Sequence, residues 1–179
     1  MTEPELIAVF APLIESILSQ NGVDINVVQL HQPTNQPLTV AGDSVFFSFL
    51  MDDNHGTQQR DMTYDNAAEV FQKGYKQQMV SLVQISVLYP QIAGAPRKYN
   101  PKDICGLIAQ NLSRLQVIKE LRKHNIGMMR ITRIRSNFFE NDKREFENMP
   151  SFDIYFTHVD TVTETVEQVK DLDGGIWRV

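Results

Sequence analysis

The sequence has one cysteine in 179 residues. A lone Cys105 excludes an intrachain disulfide and any metal site built from several thiolates. Set among the apolar residues of Ile104 to Ala109, it reads as a small core residue rather than a nucleophile. The opening stretch MTEPELIAVFAPLIESILSQ has neither the basic start nor the small-residue cleavage site of a secretory signal. Glu3, Glu5 and Glu15 interrupt any membrane span there, so a cytosol-like compartment and no membrane partner are expected. A P-loop, a dinucleotide fingerprint and a Gly-x-Ser-x-Gly elbow are all missing, and His31, His55, His124 and His158 are scattered. Nothing here argues for catalysis, and no catalytic residue and no cofactor are expected. There is no internal repeat and no low-complexity segment. With 17 Lys and Arg against 22 Asp and Glu, the net charge of -5 also lacks the overall basic footprint of a nucleic-acid binder. That leaves only a local basic patch open.

What is present is the composition of a globular chain, 42% hydrophobic and 22% charged, long enough to bury a core. One domain over residues 1–170 is expected, with 171–179 as a C-terminal tail. From Glu3 to Gln20, Leu6, Val9, Phe10, Leu13, Ile14, Ile17 and Leu18 recur at spacings of three and four, which predicts an amphipathic helix closed by Asn21-Gly22. Asp24–Leu30 and Ser44–Met51 read as strands, joined by a Pro- and Asn-containing loop. Asp52–Gln78 is polar and turn-rich: a long loop, a helical turn or the rising arm of a hairpin. Met79–Tyr89 is the clearest strand. Asn100 followed by Pro101 predicts a capped helix start, with apolar spacing continuing to His124 as one long helix or two short ones. Gly127–Phe139 reads as a further strand, followed by a charged connection and then by a strand from Ser151. The fold class is α+β: a mostly antiparallel sheet with two helices packed on one face, plus a long β-hairpin or loop extension.

Two charged clusters bear on function. Asp52, Asp53, Asp61 and Asp65 with His55 are suitable ligands for a divalent cation, but their spacing matches no calcium loop, and a solvated loop outweighs a metal site, so no metal is expected. From Arg114 to Arg135, seven basic residues stand against the single acid Glu120. A solvated helix face followed by a strand with one polar side takes precedence over a nucleic-acid patch, because no aromatic platform is interleaved. A third reading sets this basic face against an acidic face of a neighbouring subunit, supplied near Asp52 or at Asp171 to Asp173.

The stretch SFDIYFTHVDTVTETVEQV, residues 151–169, alternates like a half-buried strand and then runs on. At about 3.3 Å per residue it would span roughly 60 Å, against a width of about 40 Å for a compact chain of this size. Its second half is β-branched and prefers an extended backbone, although Val162, Val166 and Val169 also fit a short helix capped by Asp160. If extended, it needs partners for its backbone groups, either a strand folded back from the same chain or one lent by a neighbouring copy, and the expectation is that a single folded copy cannot supply them all, so that copies complete one another.

The order of these elements carries a resemblance. The N-terminal helix, VVQLHQPTNQP, the FFSFL strand, the return arm QQMVSLVQISVLYP, the NPKDICGLIAQ helix and the final FDIYFTHVDTVTETVEQV together resemble the neck or tail terminator proteins of tailed bacteriophages, over roughly Glu3 to Val169. The resemblance implies a structural virion protein without catalytic residues. It would form a homo-oligomer, a hexameric ring that caps the tail tube and joins the tail to the head-tail connector or stopper protein, and in a contractile tail it would also meet the sheath. Genomic DNA would pass through without sequence-specific binding, which an acidic lumen favours. Synthesis in the host cytoplasm and residence in the neck of the virion follow. The other readings are a different connector or tail-completion protein, a metal-dependent enzyme using the Asp52 to Asp65 segment, and a nucleic-acid module using Arg130, Arg133 and Arg135. Contacts between copies or with partners are expected at Asp61, Tyr64, Arg130, Arg133, Arg135, Val162, Val166 and Trp177, the last an apolar anchor after the flexible Gly174-Gly175.

Overall fold

The apolar stripe of the first helix, α1 (Glu3–Gln20), needs a flat surface to cover, and a sheet supplies it. In a computed structural model of the chain, which describes residues 3–30, 43–68, 70–90, 94, 97–140 and 146–166, Leu6, Phe10, Ile14, Ile17 and Leu18 of α1 are buried. The Phe10 ring meets Phe156 edge-on at 5.0 Å and Phe47 at 6.1 Å, so one helical residue joins two strands.

The sheet has five strands in the order β1-β2-β3-β7-β4. These are β1 (Asn26–Gln29), β2 (Ser44–Asp65), β3 (Val70–Leu88), β4 (Gly127–Ile131) and β7 (Ser151–Val166). Pairing is antiparallel throughout except β1 with β2, which run parallel. The α+β class is as expected, with that one parallel pair added. Between Gly127 and Phe139 the expected single strand is divided. β4 joins the sheet and Arg135 adds an isolated bridge to Ser151, while β5 (Phe138–Glu140) pairs with β6 (Phe146–Asn148) in a separate two-stranded ribbon.

On the second helical segment the shorter alternative holds: α2 (Pro101–Leu112) and α3 (Leu115–Lys123), separated at Ser113 and Arg114. The start of α2 is a reciprocal cap. Asp103 N–H donates to Asn100 Oδ1 at 2.9 Å, and Asn100 N–H donates to Asp103 Oδ2 at 3.1 Å. Ile104, Cys105, Ile108 and Leu112 are fully buried, on the same side as α1. Cys105 is the core residue its neighbours suggested. Its Sγ–H donates to Pro150 O at 3.4 Å, and burial pushes the thiol pKa up to about 12, far from nucleophilic use.

One face of the sheet therefore carries the core: Val45 and Phe47 of β2, Val83, Ile85 and Val87 of β3, and Phe152, Ile154 and Phe156 of β7. These alternate along each strand and face each other across it, Phe47 opposite Ile85 and Ile85 opposite Phe152. Replacing Phe152, which is fully buried, by Ala is expected to cost about 3–5 kcal/mol of stability. Val162→Ala, on the same strand but 60% exposed, stays within about 0.5 kcal/mol. Urea denaturation of the two variants beside the parent chain checks the contrast.

Candidate functional site

Of the three readings of the polar stretch after Met51, the hairpin holds, in place of a loop or a helical turn. β2 continues through it to Asp65, turns at residues 66–68 and returns as β3, with β7 laid against β3 from Ser151 to Val166. β4 ends its pairing with β7 at Thr157 and β1 pairs β2 only from Ser44 to Phe47, so three strands run on together as an arm. From His158 to Val166 the arm extends about 30 Å beyond the last residue that β4 pairs.

This corrects the expectation about the overlong strand. Each residue from Ser151 to Val166 has a partner in β3 of the same chain, ending with Val166 opposite Phe71. The helical alternative is excluded through Val166, and residues 167–169 lie outside the described segment. The compact-sphere width failed because the chain is not a sphere. Backbone satisfaction on that edge requires no second copy.

Two irregularities shape β2 along this path. The register shifts between Phe49 and Met51 and again between His55 and Gln59. In the second, Gly56 sits at a φ of 73°, a left-handed conformation that suits glycine. The Gln77 side-chain amide donates to the carbonyls of His55 and Gly56, at 3.1 and 3.4 Å, in place of lost ladder bonds.

Register assigns the arm two unlike faces. The core face of the sheet runs out from under the helices as rows of cross-strand neighbours: Arg60, Tyr75 and Val162; Met62, Lys73 and Glu164; Tyr64, Phe71 and Val166. The Tyr64 and Phe71 rings lie 4.9 Å apart, the Arg60 guanidinium stands 5.9 Å from the Tyr75 ring, and Tyr75 donates its hydroxyl to Glu164 at 3.2 Å. Met62 and Val162 are each 60% exposed. The opposite face is polar, with Thr63, Gln72 and Thr165 in one row and Asp61, Gly74 and Thr163 in the next. There Asp61 accepts from Lys76 Nζ at 2.7 Å and its carboxylate lies over Gly74, where a side chain would collide with it.

The expected contact residues divide accordingly. Tyr64, Val162 and Val166 share the apolar face of the arm, and Asp61 lies on the other. Arg130 and Arg135 are on the side of the body sheet opposite α1 and the core. Arg130 stands 5.3 Å from the Tyr155 ring, and Arg135 pairs with Asp153 at 2.7 Å, a carboxylate that also accepts from Gln84. Arg133 is exposed beyond β4. The basic run is thus not one surface: Lys119, Arg122 and Lys123 ride on α3, while Arg130 and Arg135 face away from the helices. Trp177 falls outside the described residues. Asp52, Asp53, Asp61 and Asp65 are strung along β2, with Asp53 and Asp65 about 33 Å apart, the span of their β3 partners Val80 and Val70, and the described residues hold no cluster of three or more metal-ligating groups. Met62, Phe71, Lys73 and Tyr75 were missed by the sequence reading. Their signal was a weak two-residue period in RDMTYD and VFQKGY.

At the root of the arm the apolar face passes through a buried polar pair. Ser81 Oγ and His158 Nε2 are 2.9 Å apart, and Nδ1 of His158 is buried without a partner. Burial holds the His158 pKa below the ordinary 6.5.

The comparisons bear on these surfaces. The family model described as the E217 gateway protein gp29 matches residues 5–168. The chain belongs to that family. The gateway description agrees with the resemblance to structural proteins of tailed bacteriophages. No curated protein sequence matches. Among solved structures, the chain is similar to the PVC sheath/tube terminator of an extracellular contractile injection system in its extended state, at 9% identity and a TM-score of 0.48. All of this chain but 64% of that one is covered, a likeness too distant to carry residues or partners across.

His158 gives the gateway chain a testable pH dependence. Because the unfolded chain binds this proton more readily than the folded one, the contribution to stability is complete above pH 6.5 and is lost as pH falls below it. Urea midpoints measured on both sides of that value are expected to drop on the acidic side, and His158→Gln to reduce the drop.

Proposed function

We propose that this gateway-family chain is a virion protein of the phage neck that assembles into a closed ring, ends growth of the tail tube and joins the tail to the connector below the head. The observation that carries the reading is the family match over residues 5–168, nearly the whole chain. The arm supports it, being a long three-stranded projection with an exposed apolar face that no described element of its own chain covers. Residues 1–170 act as one domain, a reading supported by β1 and β7, which come from opposite ends of the chain and share one sheet.

The role is exercised through surfaces rather than chemistry. A closed ring offers one rim to the tail tube and the other to the connector, and in a contractile tail its circumference adjoins the sheath. A homohexamer is the stoichiometry that the terminator resemblance implies, since cyclic symmetry lets one heterologous contact close on itself. The net charge of -5 suits a channel through which DNA slides without adhering. The chain would be made in the host cytoplasm and found in the finished particle.

Purified particles carrying a tagged copy provide the test. The tag is expected at the head-proximal end of the tail, in a copy number equal to one ring, and particles lacking the chain are expected to release unjoined heads and tails. A chain absent from particles, or spread along the tail, would contradict the reading.

A further inference from the structure

We propose that the segment following β7, residues 167–179, turns back over the tip of the arm in its own copy and seats Trp177 on the apolar face, covering that face while the chain is unassembled. The inference concerns a single copy and does not depend on the ring.

The face supplies the first observation. Met62, Tyr64, Phe71, Tyr75, Val162 and Val166 share it, with Met62 and Val162 each 60% exposed and Tyr64 39% exposed. Large apolar side chains standing in water at adjoining positions mark a surface that something occupies. Charge does not select the occupant, because Arg60 and Lys73 stand against Asp52, Asp160 and Glu164, close to balance. What the face offers a partner is apolar area.

The second observation is where the chain goes next. β7 is described to Val166, which lies opposite Phe71 in the last apolar row, at the border of the face. The residues that follow include Leu172, Ile176, Trp177 and Val179, and their charges, Lys170 and Arg178 against Glu167, Asp171 and Asp173, are as nearly balanced as those of the face. Gly174-Gly175, just ahead of Ile176 and Trp177, admits the backbone angles that a reversal requires. An indole on this face buries a large ring, and the Glu164 carboxylate in the same row as Met62 is an acceptor for its N–H.

Reach and tethering decide between this occupant and a free copy. From Val166 to Trp177 the chain spans about 36 Å at full stretch, whereas Val162 lies about 13 Å back along β7 from Val166. Trp177 therefore reaches Met62 and Val162 with chain to spare for the turn. A segment tethered this close acts at an effective concentration on the order of millimolar, so in dilute solution it outcompetes the same segment of another copy.

Trp177 is the chain's single tryptophan, and its fluorescence reports this contact alone. In dilute, monomeric full-length protein the emission is expected to be blue-shifted from that of tryptophan in water and to stay so on further dilution. Met62→Gln with Val162→Thr, both at exposed positions, is expected to move it to the red at an unchanged melting temperature, and Thr165→Gln on the opposite face to leave it in place. Cysteine pairing separates one copy from two, since the native Cys105 is fully buried and gives no background. Val162→Cys with Ile176→Cys in one chain is expected to close an intramolecular bridge with a short bismaleimide, and the two single variants mixed together to give no cross-linked pair.

Emission of a water-exposed indole, emission that ignores the Met62 and Val162 substitutions, or a double variant that forms no internal bridge would overturn the proposal and leave the ring reading standing. A mixed pair would overturn it as well, by placing the segment on another copy, and so would a chain that is never monomeric. Absence of the chain from particles would touch the ring reading alone.

Discussion

The strand β3 is bonded on both edges along nearly its whole length, to β2 on one side and to β7 on the other. Backbone groups that cannot reach water or a partner are costly, and a strand this long meets that demand only by carrying two neighbours with it. The rest of the molecule follows from this. Body and arm are one sheet because β3 passes through both, and side-chain alternation set by the core at Val83 and Ile85 is transmitted outward to Tyr75 and Phe71. The arm inherits an apolar face from the body, with no helix among the described residues to bury it.

Helical parts were legible in the sequence because burial and caps leave a dense signal. The stripe of α1 and the Asn100-Pro101 start of α2 are local patterns, and the packing agreed with them. The strands of the body were legible for the same reason, Met79 to Leu88 above all. The distal halves of β2 and β3 were not. With no described helix over either face, Thr63, Gln72 and Lys76 alternate with Met62, Phe71 and Tyr75 at low contrast, and DDNHG resembles a turn until the pairing partner is known. Parallel pairing of β1 was invisible because register and direction are non-local. β7 is of another kind: its composition displays an extended conformation, whereas its partner β3 is fixed by a non-local pairing that no local pattern in residues 151–166 reveals.

That pairing changes the basis on which copies of the chain would meet in the proposed ring. An unmatched backbone would have made assembly a condition of folding, as in strand donation. A strand matched in its own chain separates the two: the chain folds without a second copy, and the ring proposed above would then form through side chains on a finished surface. Such an interface is tuned by apolar area and charge, and suits a component that must wait for the end of a tail tube before it closes. Gateway-family membership supplies the setting, and the two-faced arm supplies a means.

Backbone hydrogen exchange on the unassembled chain tests the central claim most directly. If β7 is completed by β3 within one copy, the amides of Thr161 to Val166 that point toward β3 exchange slowly before any assembly, in alternation with faster ones on the outer edge. If the whole segment instead exchanges as freely as an unfolded chain and gains protection only in the ring, another copy completes the strand, and the pairing of β7 with β3 inside one chain is contradicted.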